Sequence, residues 1–183
     1  MKSSLASCDR KGAFMAYQVQ RYPEDKAARY ELLLAEARAL TDGIDHPIAN
    51  LANIAALLWQ GLEEINWCGF YLMDGGSLLL GPFCGLPACI RIPLGRGVCG
   101  TAAASGDVQR VADVHAFPGH IACDSASNAE IVLPIRIDGR VIGVLDIDSP
   151  SLSRFDEADE AGLRALVALI EERCDFSKTG YAL

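Results

Sequence analysis

Seven cysteines are the first residues in this 183-residue sequence that could carry chemistry. Cys89, Cys99 and Cys123 stand among glycine, proline, histidine or aspartate, where core packing explains a cysteine less readily than it does in an apolar strand. Thiols in such segments can act as nucleophiles or redox partners. Cys68 and Cys174 lie in apolar segments and are interpreted as core residues, since free cysteine is often buried. For Cys123, the pattern alone leaves a surface cysteine without a role equally open.

Three carboxylates at one end of a predicted hairpin form a second candidate set. Asp146 and Asp148 lie two residues apart in VIGVLDID, so their side chains share one face of a strand. Asp-Gly at 138–139 predicts a two-residue turn, and counting outward from it places Glu130 opposite Ile147. A shift of one residue would change the face of Glu130. Because no basic residue stands near these acids in the sequence, they predict a site for a metal ion or an ammonium group. The alternative is that the acids lie at a solvated strand end and protect it from pairing with another strand.

A zinc site is another interpretation of these residue types. His120 and Cys123 are three residues apart, and Cys89 and Cys99 could add two further ligands. Structural zinc sites usually contain closer ligand pairs such as CxxC, and this sequence has none. We therefore expect no bound metal.

Hydrophobic periodicity and turn residues predict the elements that position these side chains. Helices are expected over four segments: 25–40, 47–60, 98–104 and 156–172. Strands are expected over six: 67–73, 77–83, 90–92, 108–111, 130–137 and 140–148. The order predicts an α+β fold with a central antiparallel sheet. The N- and C-terminal helices are expected on one face, and irregular loops should cover the other.

Composition indicates a single folded domain and limits its partners. We expect a loosely ordered arm over residues 1–22, one domain over 23–175 and a tail over 176–183. The 16 basic and 24 acidic residues give a net charge of −8, which disfavours nucleic acid and anionic membranes as partners. No apolar run approaches the roughly 18 residues that span a bilayer, and the N-terminus lacks a signal-peptide pattern. The expected compartment is the cytoplasm, where structural disulfides are rare.

Four stretches resemble the free methionine-(R)-sulfoxide reductases, which are single GAF-domain proteins. They are WCGFY (67–71), LGPFCGLPACIRIPLGRGVCGTA (80–102), DVHAFPGHIACDSASNAEIVLPI (113–135) and GVLDIDSPSLSRFDEAD (143–159). The resemblance implies a GAF fold and a cytoplasmic enzyme that reduces free L-methionine-(R)-sulfoxide to methionine. It also implies a cysteine sulfenic acid and an intramolecular disulfide that thioredoxin reduces, with no bound cofactor.

The resemblance assigns roles to three of the cysteines. By motif position, Cys123 of GHIACD matches the catalytic cysteine, Cys89 of PAC the principal resolving cysteine, and Cys99 of GVCG a second redox-active one. Two positions depart from the family pattern, because Cys84 stands where glutamine is more common and Leu86 replaces a lysine. The additional thiol could join disulfide exchange, so it remains open which of Cys89, Cys99 and Cys84 resolves the sulfenic acid first.

The resemblance also assigns a substrate-binding set: Glu130, Asp146, Asp148, Trp67 and Tyr71. The first three match the family's substrate-binding acids, and the two aromatic residues match the wall of its pocket. These residue types suit a free amino acid, since carboxylates pair with an α-ammonium group and aromatic rings can enclose an S-methyl group.

A non-catalytic GAF module that binds a small metabolite is the alternative function. Regulatory GAF domains usually stand beside output domains in longer chains, whereas about ten residues follow the last predicted helix here. This observation favours the enzyme. A homodimer formed through the amphipathic terminal helices is a further expectation.

Overall fold

The computed structural model describes residues 21–119 and 124–180. Four helices lie at Lys26–Leu40 (α1), Pro47–Gly61 (α2), Gly97–Ser105 (α3) and Glu157–Arg173 (α4). Six strands lie at Trp67–Asp74 (β1), Ser77–Gly85 (β2), Arg91–Pro93 (β3), Gln109–Val111 (β4), Ala129–Ile137 (β5) and Arg140–Ser149 (β6). Each element lies within two residues of its predicted bounds. Short 3₁₀ turns occur at Val114–Ala116 and Phe176–Thr179.

The helix ends follow from local chemistry. The Asp25 side chain caps α1 by accepting a hydrogen bond from the Ala28 amide, which would otherwise lack a partner inside the helix. Pro47 opens α2 at a position where a missing N–H costs nothing. At α4, Asp156 and Asp159 form a reciprocal capping box. No helix among the described residues is long and apolar enough to span a membrane.

One antiparallel sheet forms the centre of the molecule, with the strand order β3-β2-β1-β6-β5-β4. Two-residue turns close its hairpins, at Gly75-Gly76 between β1 and β2 and at Asp138-Gly139 between β5 and β6. All four turn residues have positive φ, as this type of hairpin requires. The hairpins meet where β1 pairs with β6, so the sequence signals at 67–71 and 143–148 become neighbours.

The predicted register of the second hairpin is wrong by one residue. Ile135 pairs with Gly143, one position further along β6 than a regular ladder from the turn would place it. This irregularity is a bulge, in which one strand carries an extra residue. As a result Glu130 lies opposite Asp148 and not opposite Ile147. Directly opposite residues in an antiparallel pair share a face, so the bulge moves Glu130 to the face of the two aspartates.

The two faces of the sheet pack against different layers. Phe70 and Leu72 of β1 belong to the larger core, which α1, α2 and α4 cover and which also includes Phe176. The alternate residues Trp67 and Tyr71 belong to a smaller core on the other face, beneath α3 and the loops. The α+β fold is therefore confirmed, with the terminal helices on one face and the loop segments on the other.

Candidate active site

A pocket opens on the loop face of the sheet. Trp67 and Tyr71 from β1, Glu130 from β5, and Asp146 and Asp148 from β6 line it. The start of α3 and the segment after β2 form its other walls, with the side chain of Arg96 at its edge. All five binding residues expected from the sequence therefore meet at one place.

The three carboxylates lie close together with little access to water. Glu130 and Asp146 are only 7% and 6% exposed, and Asp148 is partly exposed. The thiol of Cys99 donates a hydrogen bond to Glu130, with Sγ 3.7 Å from Oε1. Within residues 21–119 and 124–180, none of the ion pairs involves any of these acids.

Burial and mutual repulsion make these acids hold protons more tightly than usual. Burial first, and then the charges of Asp146 and Asp148, raise the pKa of Glu130 well above its ordinary range. Burial raises the pKa of Asp146 to about 6, although hydrogen bonds with Cys99 and Glu130 oppose this shift. For Asp148, burial and then Asp146 and Asp124 raise the pKa well above normal. The three carboxyl groups therefore tend either to keep their protons or to bind a positively charged group.

One acceptor in this group has no protein donor. Oδ1 of Asp146 is buried and has no hydrogen-bond partner among the described residues. Buried polar atoms in folded proteins are nearly always paired, so such an atom points to a donor that arrives with a ligand. The ligand atoms of Cys99, Glu130 and Asp146 all lie within 4.8 Å of one another. Their spacing suits an ammonium group, and a metal ion is the other cation that such residues can hold.

The aromatic wall stands next to the acids. Trp67 stacks on Tyr71, with ring centroids 5.8 Å apart, and on Phe83, with centroids 5.3 Å apart. A Cβ on Gly69 would overlap Phe83 and the Trp67 ring, so this glycine permits the stacking. A flat apolar surface beside anionic groups can bind a molecule with one methylated end and one cationic end.

The same aromatic residues hold the segment that carries Cys89. The indole Nε1 of Trp67 donates to the Leu86 carbonyl at 3.1 Å, and the Tyr71 hydroxyl donates to the Cys89 carbonyl, also at 3.1 Å. Cys89 is disulfide-bonded. It is therefore not available as a zinc thiolate, which removes one ligand from the zinc interpretation. Of the three other residues of that interpretation, Cys99 lines the pocket, and His120 and Cys123 lie outside the described residues.

The comparisons with known proteins agree with this geometry. The GAF domain family matches residues 49–172. The chain is 56% identical to protein YtsP of Bacillus subtilis over 158 residues, which cover 85% of this chain and 97% of that one. It is 55% identical to the free methionine-R-sulfoxide reductase of Escherichia coli over 148 residues, or 81% and 90% of the two chains. The chain belongs to the GAF domain family, among the free methionine-R-sulfoxide reductases.

Solved structures support the same assignment. The X-ray structure of the free methionine-R-sulfoxide reductase from Neisseria meningitidis, in complex with its substrate, superposes with a TM-score of 0.82 at 46% identity. The match covers 86% of this chain and 95% of that one. The expected family and fold are therefore confirmed.

The remaining cysteines of this GAF domain divide between the two faces of the sheet. Cys68 and Cys174 are buried in the helix-side core, which confirms their interpretation as packing residues. Cys84 lies directly opposite Cys68 across the β1–β2 pair and packs against the same core. Cys99 instead lies on the pocket face, where burial and then Asp146 and Glu130 raise its pKa well above the ordinary thiol value.

Some residues of the pocket were not expected from the sequence. Asn66 donates to Oδ2 of Asp124 at 2.9 Å and to the Ser127 hydroxyl at 3.0 Å, and both of these residues line the pocket. Phe83 extends the aromatic wall behind Trp67. These contacts join distant segments, so periodicity could not reveal them. The only local signal was the position of Asp124 directly after Cys123 in GHIACD.

Proposed function

We propose that this chain reduces free L-methionine-(R)-sulfoxide to methionine, with Cys123 as the attacking thiol and Cys89 as its principal resolving partner. The observation that carries the proposal is the buried carboxylate trio beside a stacked aromatic wall that also holds the disulfide-bonded Cys89. Relatives with 55% and 46% identity bear the name of this reductase.

The proposed binding mode uses both ends of the substrate. The α-ammonium group would lie among Glu130, Asp146 and Asp148, where it adds the positive charge that the acids lack and donates to the buried Oδ1 of Asp146. The S-methyl group would pack on Trp67, with Tyr71 completing the wall. A methionine sulfoxide inside a polypeptide has no free ammonium group, which restricts the site to the free amino acid.

The proposed chemistry proceeds in two thiol steps. The Cys123 thiolate attacks the sulfoxide sulfur and forms an S–S bond as the oxygen takes up a proton. The oxygen is then transferred to the cysteine sulfur while its bond to the substrate sulfur and the new S–S bond both break, which yields a cysteine sulfenic acid and methionine. A second thiol then attacks the sulfenic sulfur and expels water, which forms a disulfide. Two electrons have passed from two thiols to the substrate. A carboxyl group that keeps its proton near neutral pH can supply the proton that the oxygen requires.

The structure of the cysteine sites supports the assignment of the second thiol. Cys89 is disulfide-bonded, whereas Cys68, Cys84, Cys99 and Cys174 are free. Cys99 lines the pocket and is proposed as a second redox-active thiol. Cys84 packs on the helix side of the sheet, so we propose no resolving role for it.

The proposed cycle closes when an external dithiol reduces the disulfide. We propose thioredoxin as this donor, and the cytoplasm, where thioredoxin is kept reduced, as the compartment. The thiols carry both electrons, so the reaction needs no bound cofactor. A homodimer formed through the terminal helices remains part of the proposal.

The test is NADPH oxidation coupled through thioredoxin reductase and thioredoxin, with free L-methionine-(R)-sulfoxide as substrate. We expect turnover in the wild type and none in Cys123→Ser. Cys84→Ser is the matched control, since it removes one thiol from the other face of the sheet, and its turnover should equal that of the wild type. Tight methionine sulfoxide binding by a wild-type protein without turnover would instead support the non-catalytic module.

A further inference from the structure

Exposed apolar side chains cluster in the segment that surrounds Cys89. Leu86 is 62% exposed, Ile90 is 70% exposed and Leu94 is 39% exposed. Together they are half of the large hydrophobic residues that reach solvent in the described part of the chain. We call these three side chains the apolar rim. Large apolar side chains that one ordered segment exposes to solvent are candidates for an interaction surface.

The backbone beneath the apolar rim is fixed. The Leu86 carbonyl accepts from Trp67, the Cys89 carbonyl accepts from Tyr71, and the Ile90 carbonyl accepts from the Leu80 amide at 2.9 Å. These bonds hold the segment from the sheet side. The exposure of the rim is therefore a property of an ordered surface, and a partner would meet it without a large ordering cost.

The charge of this segment differs from that of the molecule. Residues 86–97 contain two arginines and no carboxylate, whereas the whole chain carries −8. Arg91 forms an ion pair with Asp74, and Arg96 is exposed at the edge of the pocket. A partner that approaches here meets an apolar centre with positive charge beside it. It would therefore present apolar groups with negative charge at their border.

We propose that the apolar rim is the docking surface for the protein dithiol that reduces the Cys89 disulfide, an inference that rests on the proposed function. In this exchange the partner's thiolate attacks one sulfur of the disulfide, and the other sulfur leaves and takes a proton. The partner's second thiol then attacks the partner's first sulfur in this mixed disulfide and releases the sulfur of this chain, which leaves two thiols on this chain and one disulfide on the partner. A protein must dock to align these atoms, whereas a small dithiol needs no such surface.

The experiment compares two reductants on one variant. Ile90→Ser combined with Leu94→Ser removes apolar rim side chains without changing the residues that line the pocket. With thioredoxin as the reductant, we expect the KM for thioredoxin to rise by at least about tenfold. With dithiothreitol, turnover should match the wild type. Ile44→Ser is the matched control, because Ile44 is 48% exposed between α1 and α2, and it should change neither value.

Three outcomes would overturn the proposed docking surface. The first is an unchanged KM for thioredoxin in the double variant, and the second is an equal loss of turnover by the double variant with thioredoxin and with dithiothreitol. The third is the same rise in the KM for thioredoxin in Ile44→Ser. Failure of the proposed function gives a different result, since the wild type would then reduce methionine sulfoxide with neither reductant.

Discussion

The buried acids of the pocket impose a cost on the stability of the fold. Glu130 and Asp146 are almost fully buried, and no cation pairs with them among the described residues. Like charges in a poorly solvated site destabilise the folded state unless protons neutralise them. The raised pKa values of both groups record this cost. Under the proposed function, an arriving ammonium group would relieve this cost, so the same repulsion that weakens the empty site would strengthen substrate binding.

Glu130→Gln should weaken binding of the free amino acid. Removing one of the charges that face the ammonium group should raise the KM for methionine-(R)-sulfoxide by about tenfold or more, as expected for the loss of a charged hydrogen bond. N-acetylated methionine-(R)-sulfoxide lacks that positive charge. It should therefore be a poor substrate, and its KM should be the same in the wild type and in Glu130→Gln. Glu157→Gln, at an exposed site on α4, is the control. An equal effect on both substrates would contradict the assignment of the acids to the ammonium group.

The empty site should also make stability depend on pH. Burial raises the pKa of Asp146 to about 6, so between pH 4 and 6 the folded state holds a proton that the unfolded chain releases. The free energy of unfolding should therefore fall as pH rises through this window, by roughly 2–3 kcal/mol for this group. Urea unfolding from pH 4.5 to 7.5 should show a shallower decline in Asp146→Asn. The control Asp138→Asn, in an exposed turn, should keep the wild-type slope, and an equal slope in all three proteins would exclude the effect.

At the scale of elements, local patterns were sufficient for each helix and strand but not for their alignment. Periodicity and turn residues are properties of neighbouring residues, and they placed Asp146 and Asp148 on one face correctly. The bulge at Ile142 shifts the pairing of β5 with β6 and leaves no local pattern in the sequence, so counting from the turn gave Glu130 the wrong partner. The contact of Trp67 with Leu86 likewise joins segments that no sequence window contains. The residues that line the pocket could thus be predicted, but the geometry that brings them together could not.

The junction of α1 with α4 is a test of element-level stability. The buried carboxylate of Asp159 accepts hydrogen bonds from Lys26 and Tyr30 of α1 and from Arg154. Asp159→Ala leaves these donors without their acceptor, so we expect a loss of about 3 kcal/mol or more in urea unfolding. Glu160→Ala is the neighbouring control, since it removes only partly exposed ion pairs and should cost less than about 1 kcal/mol. Similar losses for the two variants would mean that the buried network does not hold the helices together.

At the scale of the whole molecule, the sheet separates the described cysteines into two environments. Cys68, Cys84 and Cys174 belong to the helix side, where burial raises the pKa of each thiol. Cys99 and the segment of Cys89 belong to the pocket side. Because the sheet stands between them and the pocket, the helix-side cysteines should be poor partners in exchange with the pocket-side thiols. Under the proposed function, disulfide exchange should therefore be confined to the thiols on the pocket side.

This separation predicts the stoichiometry of a single turnover. The reduced protein in denaturant should show seven reactive thiols, and after excess methionine-(R)-sulfoxide without reductant it should show two fewer, with about one methionine formed per chain. Cys84→Ser should lose the same number, since Cys84 lies on the helix side of the sheet. Thiol titration in denaturant and quantification of methionine measure both values. A loss of four thiols that falls to two in Cys84→Ser would show that Cys84 joins the exchange, and the sheet would then not isolate it from the redox chemistry of the pocket.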